Sequence, residues 1–351
     1  MTARARWALS LAVLAVQAGP ALATPTSSFT VAGAVDRPVT LALPDLQALP
    51  GQTAAVTYGT GRGPVSASFT GPTLWSVLGQ AGLTPVPAAR NSTLRNVVVA
   101  TGSDGYAAAF SGGELDPRFG GSRVPTLVAY AQDGQPLGAD GFARAVVPGD
   151  AAGGRYVSNL AQLDVVQAPS NPSRGGGTSV SFTLSGLVAT PGTYYAATLA
   201  ALPATTESVT YTAGGRPVSA SFTGVSLWTL LTAVGLVADP AVKNAELRQY
   251  VLATGSDGYE ATFSLGELDP RFGGGGAADL VAYAQDGQPL GADGFARLVV
   301  PGDLGGGRYV SNLVSLQVLD ATVVPEPGSL ALVLAGLTGA VLRRRIQPSA
   351  G

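Results

Sequence analysis

Short apolar runs separated by glycine- and proline-bearing breaks set the pattern of this chain. Phe29 to Val35 and Ala55 to Tyr58 read as strands. Ser66, Ser68 and Thr70 alternate with Ala67 and Phe69, the two-residue period of a half-buried strand. Pro44 to Leu49 predicts a short helix with proline in its first turn. Leu74 to Ala81 sets Leu74, Trp75, Val77 and Leu78 at helical spacing and stops at Gly82, which puts Trp75 on the apolar face as a core residue. Val97 to Ala100 reads as a buried strand ahead of a turn at Asp104-Gly105. Leu127 to Ala131, the Asp133-Gly134 turn and Ala143 to Val147 predict a hairpin, and Tyr156 to Val166 a last strand region. Strands dominate, with two or three short helices, so the expected class is α+β.

The same unit is then written again. Pro64 to Gly71 returns as Pro217 to Gly224, and Thr101 to Tyr106 as Thr254 to Tyr259. The 18 residues Leu127 to Arg144 return unchanged as Leu280 to Arg297, and Gly153 to Leu160 as Gly306 to Leu313. Every pair is offset by 153 residues, too long for a solenoid repeat, so the body is a duplicated domain. We expect one copy over 28–168, a linker over 169–178 whose Pro, Ser and Gly suit a flexible connector, and a second copy over 181–321.

Composition narrows the chemistry. The 351 residues suffice for about two domains. Cysteine and histidine are both zero, which excludes disulfides, thiolate metal sites, a cysteine nucleophile, histidine zinc sites and a Ser-His-Asp triad. Residues 24–322 hold 15 basic and 21 acidic side chains, a net charge of −6, which argues against a nucleic-acid partner.

The two ends read as addresses. Arg4 and Arg6, the apolar run Trp7 to Val16, and Ala21-Leu22-Ala23 make a secretory signal over 1–23 with cleavage after Ala23. At the other end, Pro325-Glu326-Pro327 precedes the apolar run Leu330 to Leu342 and then Arg343-Arg344-Arg345. This order, spanning 324–346, resembles the PEP-CTERM sorting signal of Gram-negative bacteria. The resemblance implies processing by an exosortase, a membrane stage anchored by the C-terminal helix, and a final place at the cell surface or in the exopolysaccharide matrix. Exopolysaccharide and a small anionic ligand are the further expected partners.

Within each copy, Asp104, Asp133, Asp140 and Asp150, with Glu114 and Asp116, recur as Asp257, Asp286, Asp293, Asp303, Glu267 and Asp269. Most of the aspartates, three of five in each copy, precede glycine, where Asx turns explain them. Calcium held by these oxygens is the alternative, although none follows a compact calcium-loop spacing. The repeated arginines Arg118, Arg144 and Arg155, with Arg271, Arg297 and Arg308, suit bidentate recognition of an anion or internal ion pairs to nearby aspartates.

The string from Leu127 to Leu160, the LWSVLGQAGL helix from Leu74 to Leu83, and the segment Gly102 to Tyr106 resemble the molybdopterin-binding domain of the sulfite oxidase type of oxidoreductase. That family implies a mixed α+β fold, a pterin held by its phosphate, and molybdenum held partly by one cysteine. The cysteine position falls near Val56-Thr57-Tyr58, so Tyr58 and Tyr211 stand there; the family histidine matches Asp140 and Asp293, and its Lys-Trp matches Ser158-Asn159 and Ser311-Asn312. The expectation is a degenerate pair of domains that binds a small ligand. Arg144, Arg155, Arg297, Arg308, Tyr58, Tyr211, Asp104 and Asp257 are its candidate contacts, with no catalytic residue, no metal ligand and no cofactor assigned. Two alternatives stand beside it: an oxidoreductase holding molybdopterin in a non-cysteine environment, and a purely structural matrix protein.

Overall fold

The structure is a computed structural model that describes residues 25–84, 90–120, 124–171, 175–273 and 276–322. The signal segment 1–23 and the sorting segment 324–346 lie outside the described residues. Among those described, no helix is long and apolar enough to cross a membrane.

The first copy runs β1 (Ser28–Gly33), β2 (Val39–Ala42), α1 (Leu43–Gln47), β3 (Gly51–Thr60), β4 (Gly63–Pro72), α2 (Leu74–Ala81), β5 (Asn96–Gly102), β6 (Ala107–Ser111), α3 (Gly112–Leu115), β7 (Leu127–Ala129), β8 (Ala131–Gln132), β9 (Gln135–Pro136), β10 (Arg144–Val146) and β11 (Leu160–Gln167). The second repeats it as β12 (Ser181–Gly186), β13 (Gly192–Tyr195), α4 (Ala196–Ala200), β14 (Thr205–Ala213), β15 (Arg216–Ser226), α5 (Leu227–Ala233), β16 (Gln249–Gly255), β17 (Glu260–Ser264), α6 (Leu265–Leu268), β18 (Leu280–Gln285), β19 (Gln288–Pro289), β20 (Arg297–Val299) and β21 (Leu313–Asp320).

Each copy has one five-stranded mixed sheet, ordered β2-β1-β11-β5-β6 and β13-β12-β21-β16-β17, in which β1 and β11, and β12 and β21, pair in parallel. A second sheet grows from the β3–β4 and β14–β15 hairpins through β8–β9 and β18–β19. Local sequence signals explain several elements. Asp45 accepts from the Ala42 N–H at the start of α1. Thr73 caps α2 by accepting from the Ser76 N–H at 3.0 Å, and the chain leaves that helix at Gly82 with φ of 70°.

Some expectations are corrected. The Asp133-Gly134 turn closes only the two-residue pair β8–β9, while β7 pairs with β10 across the longer segment. The last strand starts at Leu160, because Gly153–Arg155 forms a 3-10 turn. Strand β6 was not anticipated: all five of its residues are buried, so it shows no alternation. Trp75 and Trp228 are half-buried at the edge of their cores, since Leu74, Val77, Leu78 and Ala81 form the buried stripe of α2 and leave Trp75 on its flank. Two described residues of the linker bond to the second copy. The Asn171 amides donate to Glu260 and Thr254, and the Gly176 N–H donates to the Ser256 carbonyl.

The two copies pack against each other by reciprocal contacts. The Ala151 N–H donates to the Phe272 carbonyl and the Leu304 N–H to the Phe119 carbonyl, both at 2.8 Å. Phe119 lies in the core of the second copy, and Leu247 and Phe272 in the core of the first. Alternate residues of β5 serve different neighbours: Val98 and Ala100 face their own core, while Val97 and Val99 join Ala107, Ala109, Tyr250 and Leu252 in a third apolar cluster between the copies. The two backbone hydrogen bonds and the core insertions of Phe119 and Phe272 recur 153 residues apart, the self-complementary pattern of a twofold dimer, here within one chain.

Candidate functional site

Two clusters in each copy collect the residues singled out from the sequence. The first surrounds Tyr58. This ring is buried at an inward position of β3 and stacks on Tyr156 with centroids 4.2 Å apart; Tyr211 stacks on Tyr309 at 4.1 Å. The Arg144 guanidinium lies over the Phe69 and Tyr156 rings, pairs with Asp140 at 2.7 Å and donates weakly to the Tyr58 hydroxyl at 3.4 Å. Arg297 lies over Phe222 and Tyr309 and pairs with Asp293. The Nε atoms of Arg144 and Arg297 are buried with no hydrogen-bond partner among the described residues. Burial pushes the Tyr156 and Tyr309 hydroxyls well above the ordinary tyrosine range, and each donates to a backbone carbonyl.

The second cluster holds the other predicted arginines, away from solvent. Arg155 donates to both oxygens of Asp150, at 2.8 and 2.7 Å, and to Glu114 at 2.7 Å. Arg308 repeats this with Asp303 and Glu267. The glutamates join the copies: Ser264 Oγ donates to Glu114 and Ser111 Oγ to Glu267, at 2.8 and 2.7 Å. Each arginine runs past a glycine of the other copy. A Cβ on Gly113 would sit 2.2 Å from Arg308 Cδ, and one on Gly266 2.4 Å from Arg155 Cδ, so both positions need glycine. Burial pushes the Glu114 carboxyl above its usual value despite the opposing pull of Arg155, and nearby Glu267 adds to the rise. Sequence spacing shows Asp116 beside Arg118, and that pair forms. It gave no sign that the partners of Arg155 would include a glutamate 41 residues away and lie on the seam between copies.

Asp104 and Asp257 close turns by accepting from the Tyr106 and Tyr259 N–H groups at 3.0 Å. Both tyrosines reach across the seam: Asn244 donates to the Tyr106 hydroxyl and Asn91 to that of Tyr259, both at 2.9 Å, and each hydroxyl donates to the carbonyl of Gly154 or Gly307. Asp257, Tyr259, Tyr309 and Asn312 line a cavity of about 490 Å³ that Arg90, Asn91 and Phe119 of the first copy complete. The seam contacts of Asn91 and Asn244 are what the sequence reading missed; only their shared offset of 153 hinted at them.

A mixed strand-rich fold written twice, with a tyrosine–arginine site in each copy, defines the class. Residues 17–174 and 176–323 each match the family described as oxidoreductase molybdopterin binding domain, and residues 323–345 match the PEP-CTERM protein-sorting motif. The chain therefore belongs to the oxidoreductase molybdopterin-binding domain family, and its sorting motif marks an exported, exosortase-sorted protein of Gram-negative bacteria. Among solved structures it is similar to the sulfane dehydrogenase SoxCD from Paracoccus pantotrophus, with 13% identity over 82% of this chain and 77% of that one and a TM-score of 0.34. At those values the likeness transfers no activity. No curated protein matches the chain.

The residues present do not fit a molybdenum centre of the family's thiolate type. The chain has no cysteine, and at the expected ligand position a phenol stacks on a second phenol. The Gly-Gly-Arg turn is packed rather than open as a backbone cradle: a Cβ on Gly153 would lie 2.9 Å from the Tyr58 ring, and one on Gly306 2.8 Å from Tyr211. Arg155 and Arg308, the buried arginines expected to meet an anion, pair with carboxylates instead. Among the described residues no group of three Asp, Glu, His or Cys side chains could hold a metal ion.

Proposed function

We propose that this is an exported, surface-destined binding protein whose two domains retain the molybdopterin-binding fold without its redox centre. The observation that carries the reading is the Tyr58–Tyr156 stack, with its copy Tyr211–Tyr309, at the strand where the family resemblance expects a metal-ligating cysteine. Arg144 and Arg297 seal each stack from above. Arg155 and Arg308 belong to the scaffold rather than to a ligand contact, because all their charge is met inside the protein.

The ligand we assign is a small polar anion held in the cavity beside Asp257. Arg90 and Ser311 line that cavity, with Gly305–Gly307 along one wall, and would meet the anion there. Exopolysaccharide or another matrix component would then meet the outer surface of the same protein.

The test combines molybdenum and pterin analysis of protein purified from its native envelope with thermal-shift screening of small oxyanions. The expected result is no stoichiometric molybdenum or pterin, and a concentration-dependent rise in Tm that Arg90→Ala removes. One molybdenum per domain would overturn the proposal in favour of an oxidoreductase with an unrecognised metal environment. No shift with any anion would leave a structural matrix protein.

A further inference from the structure

A cavity of about 680 Å³ opens at the seam, away from the site beside Asp257. Val99, Thr101 and Ala107 of β5 and β6 line it on the first copy, and Arg248, Ala321 and Thr322 of the second copy complete it. The twofold relation between the copies shows what the matching surface of the second copy holds. There the linker crosses it. The Ala168 N–H donates to the Arg95 carbonyl at 2.9 Å, and three residues on, the Asn171 backbone and side-chain amides donate to Glu260 at 2.6 Å and Thr254 at 3.0 Å. Arg95 pairs with the same Glu260 at 2.8 Å and donates to the Ala168 carbonyl at 2.7 Å.

The second copy ends on the same path. The Ala321 N–H donates to the Arg248 carbonyl at 2.9 Å, and Ala168 and Ala321 are both buried in the third apolar cluster. Asp320 accepts from the N–H and the hydroxyl of Thr322, at 2.7 and 2.6 Å, which fixes Thr322 at the cavity wall. Val323 and Val324 come next in the chain, so Val324 stands to Ala321 as Asn171 stands to Ala168. The two surfaces differ in step with the two segments. Ala107 occupies the position of Glu260, just as Val324 occupies that of Asn171. Polar meets polar on one copy; on the other an apolar segment is offered an apolar wall. Three residues of extended chain span roughly 10 Å, enough to cross from Ala321 to Ala107 as the linker does on the other copy. Val99 and Ala107 already belong to the cluster between the copies, so two valines laid on them extend an existing interface. Arg248 stands at the rim, and the first charged side chain after Thr322 is Glu326.

We infer that this cavity is the docking site of the chain's own segment 323–324, which latches the end of the second copy onto the first and leaves the Pro-Glu-Pro motif to begin at the cavity mouth. The chain has no cysteine, so Val324→Cys and Ser349→Cys each supply a single thiol for labelling in the recombinant full chain. In the folded protein the thiol at 324 should react at least about tenfold more slowly than the one at 349, and the two should react alike in urea. The double variant Ala107→Cys with Val324→Cys should form a disulfide within one chain under mild oxidation. Val324→Asp, which places a charge against Val99 and Ala107, should lower the Tm by about 3 °C or more. Equal labelling at 324 and 349 in the folded protein would overturn the assignment. So would protection at 324 without the disulfide, a disulfide formed only between chains, or an unchanged Tm in Val324→Asp.

Discussion

Replacing Arg308 by methionine removes three charge-assisted hydrogen bonds of 2.7 to 2.8 Å while roughly preserving the length of the side chain. The side chains of Arg308, Asp303 and Glu267 are all fully buried, so the variant strands two carboxylates with no water to solvate them. Breaking a buried pair by deleting one partner costs about 3–5 kcal/mol, most of it from the charges left behind. At roughly 2–4 °C per kcal/mol for a protein of this size, the Tm should fall by about 6–20 °C. The assay is denaturant unfolding followed by far-UV circular dichroism, with calorimetry for Tm. A companion variant, Arg308→Met with Asp303→Asn and Glu267→Gln, removes the stranded charges and should recover a large part of the loss. If Arg308→Met unfolds within about 1 kcal/mol of the wild type, or the triple variant is no better than the single, the buried network is not a stability element.

Three further outcomes follow from the same seam. Phe119→Ala and Phe272→Ala each empty an aromatic site in the other copy's core and should cost about 3–5 kcal/mol in chemical unfolding; a loss under about 1 kcal/mol would mean the copies do not share cores. Gly113→Ala should destabilise by at least about 1–3 kcal/mol, since its Cβ would overlap Arg308, and calorimetry showing an unchanged Tm would contradict that packing. Burial holds the Glu114 carboxyl above its ordinary value of 4.5, so the folded state keeps a proton that the unfolded chain releases. That contribution is complete below pH 4.5 and is lost as pH rises through the folded value. Glu114→Gln should therefore flatten the fall in Tm over that window, and parallel curves for the two proteins would refute it.

The elements that sequence determined are those whose signals are local. Helix α2 starts at the Thr73 cap and stops at Gly82 because both groups act within one turn of the chain. The Asp133-Gly134 and Asp286-Gly287 turns follow from residues that accept positive φ. The duplication, the family and the sorting motif are written in the order of residues, and so is the missing cysteine. The seam between the copies was decided by the tertiary structure alone. Arg155 finds Glu114 across 41 residues and Ser264 finds the same carboxylate across 150, distances over which no periodicity or propensity carries information. Strand β6 hid for a related reason: packing on both faces erases the alternation that marks a strand. The sequence supplied the repeated arginines and carboxylates, but which charge met which depended on the second copy closing against the first. Burial there converts residues suited to gripping an outside anion into the internal framework that holds the two domains together.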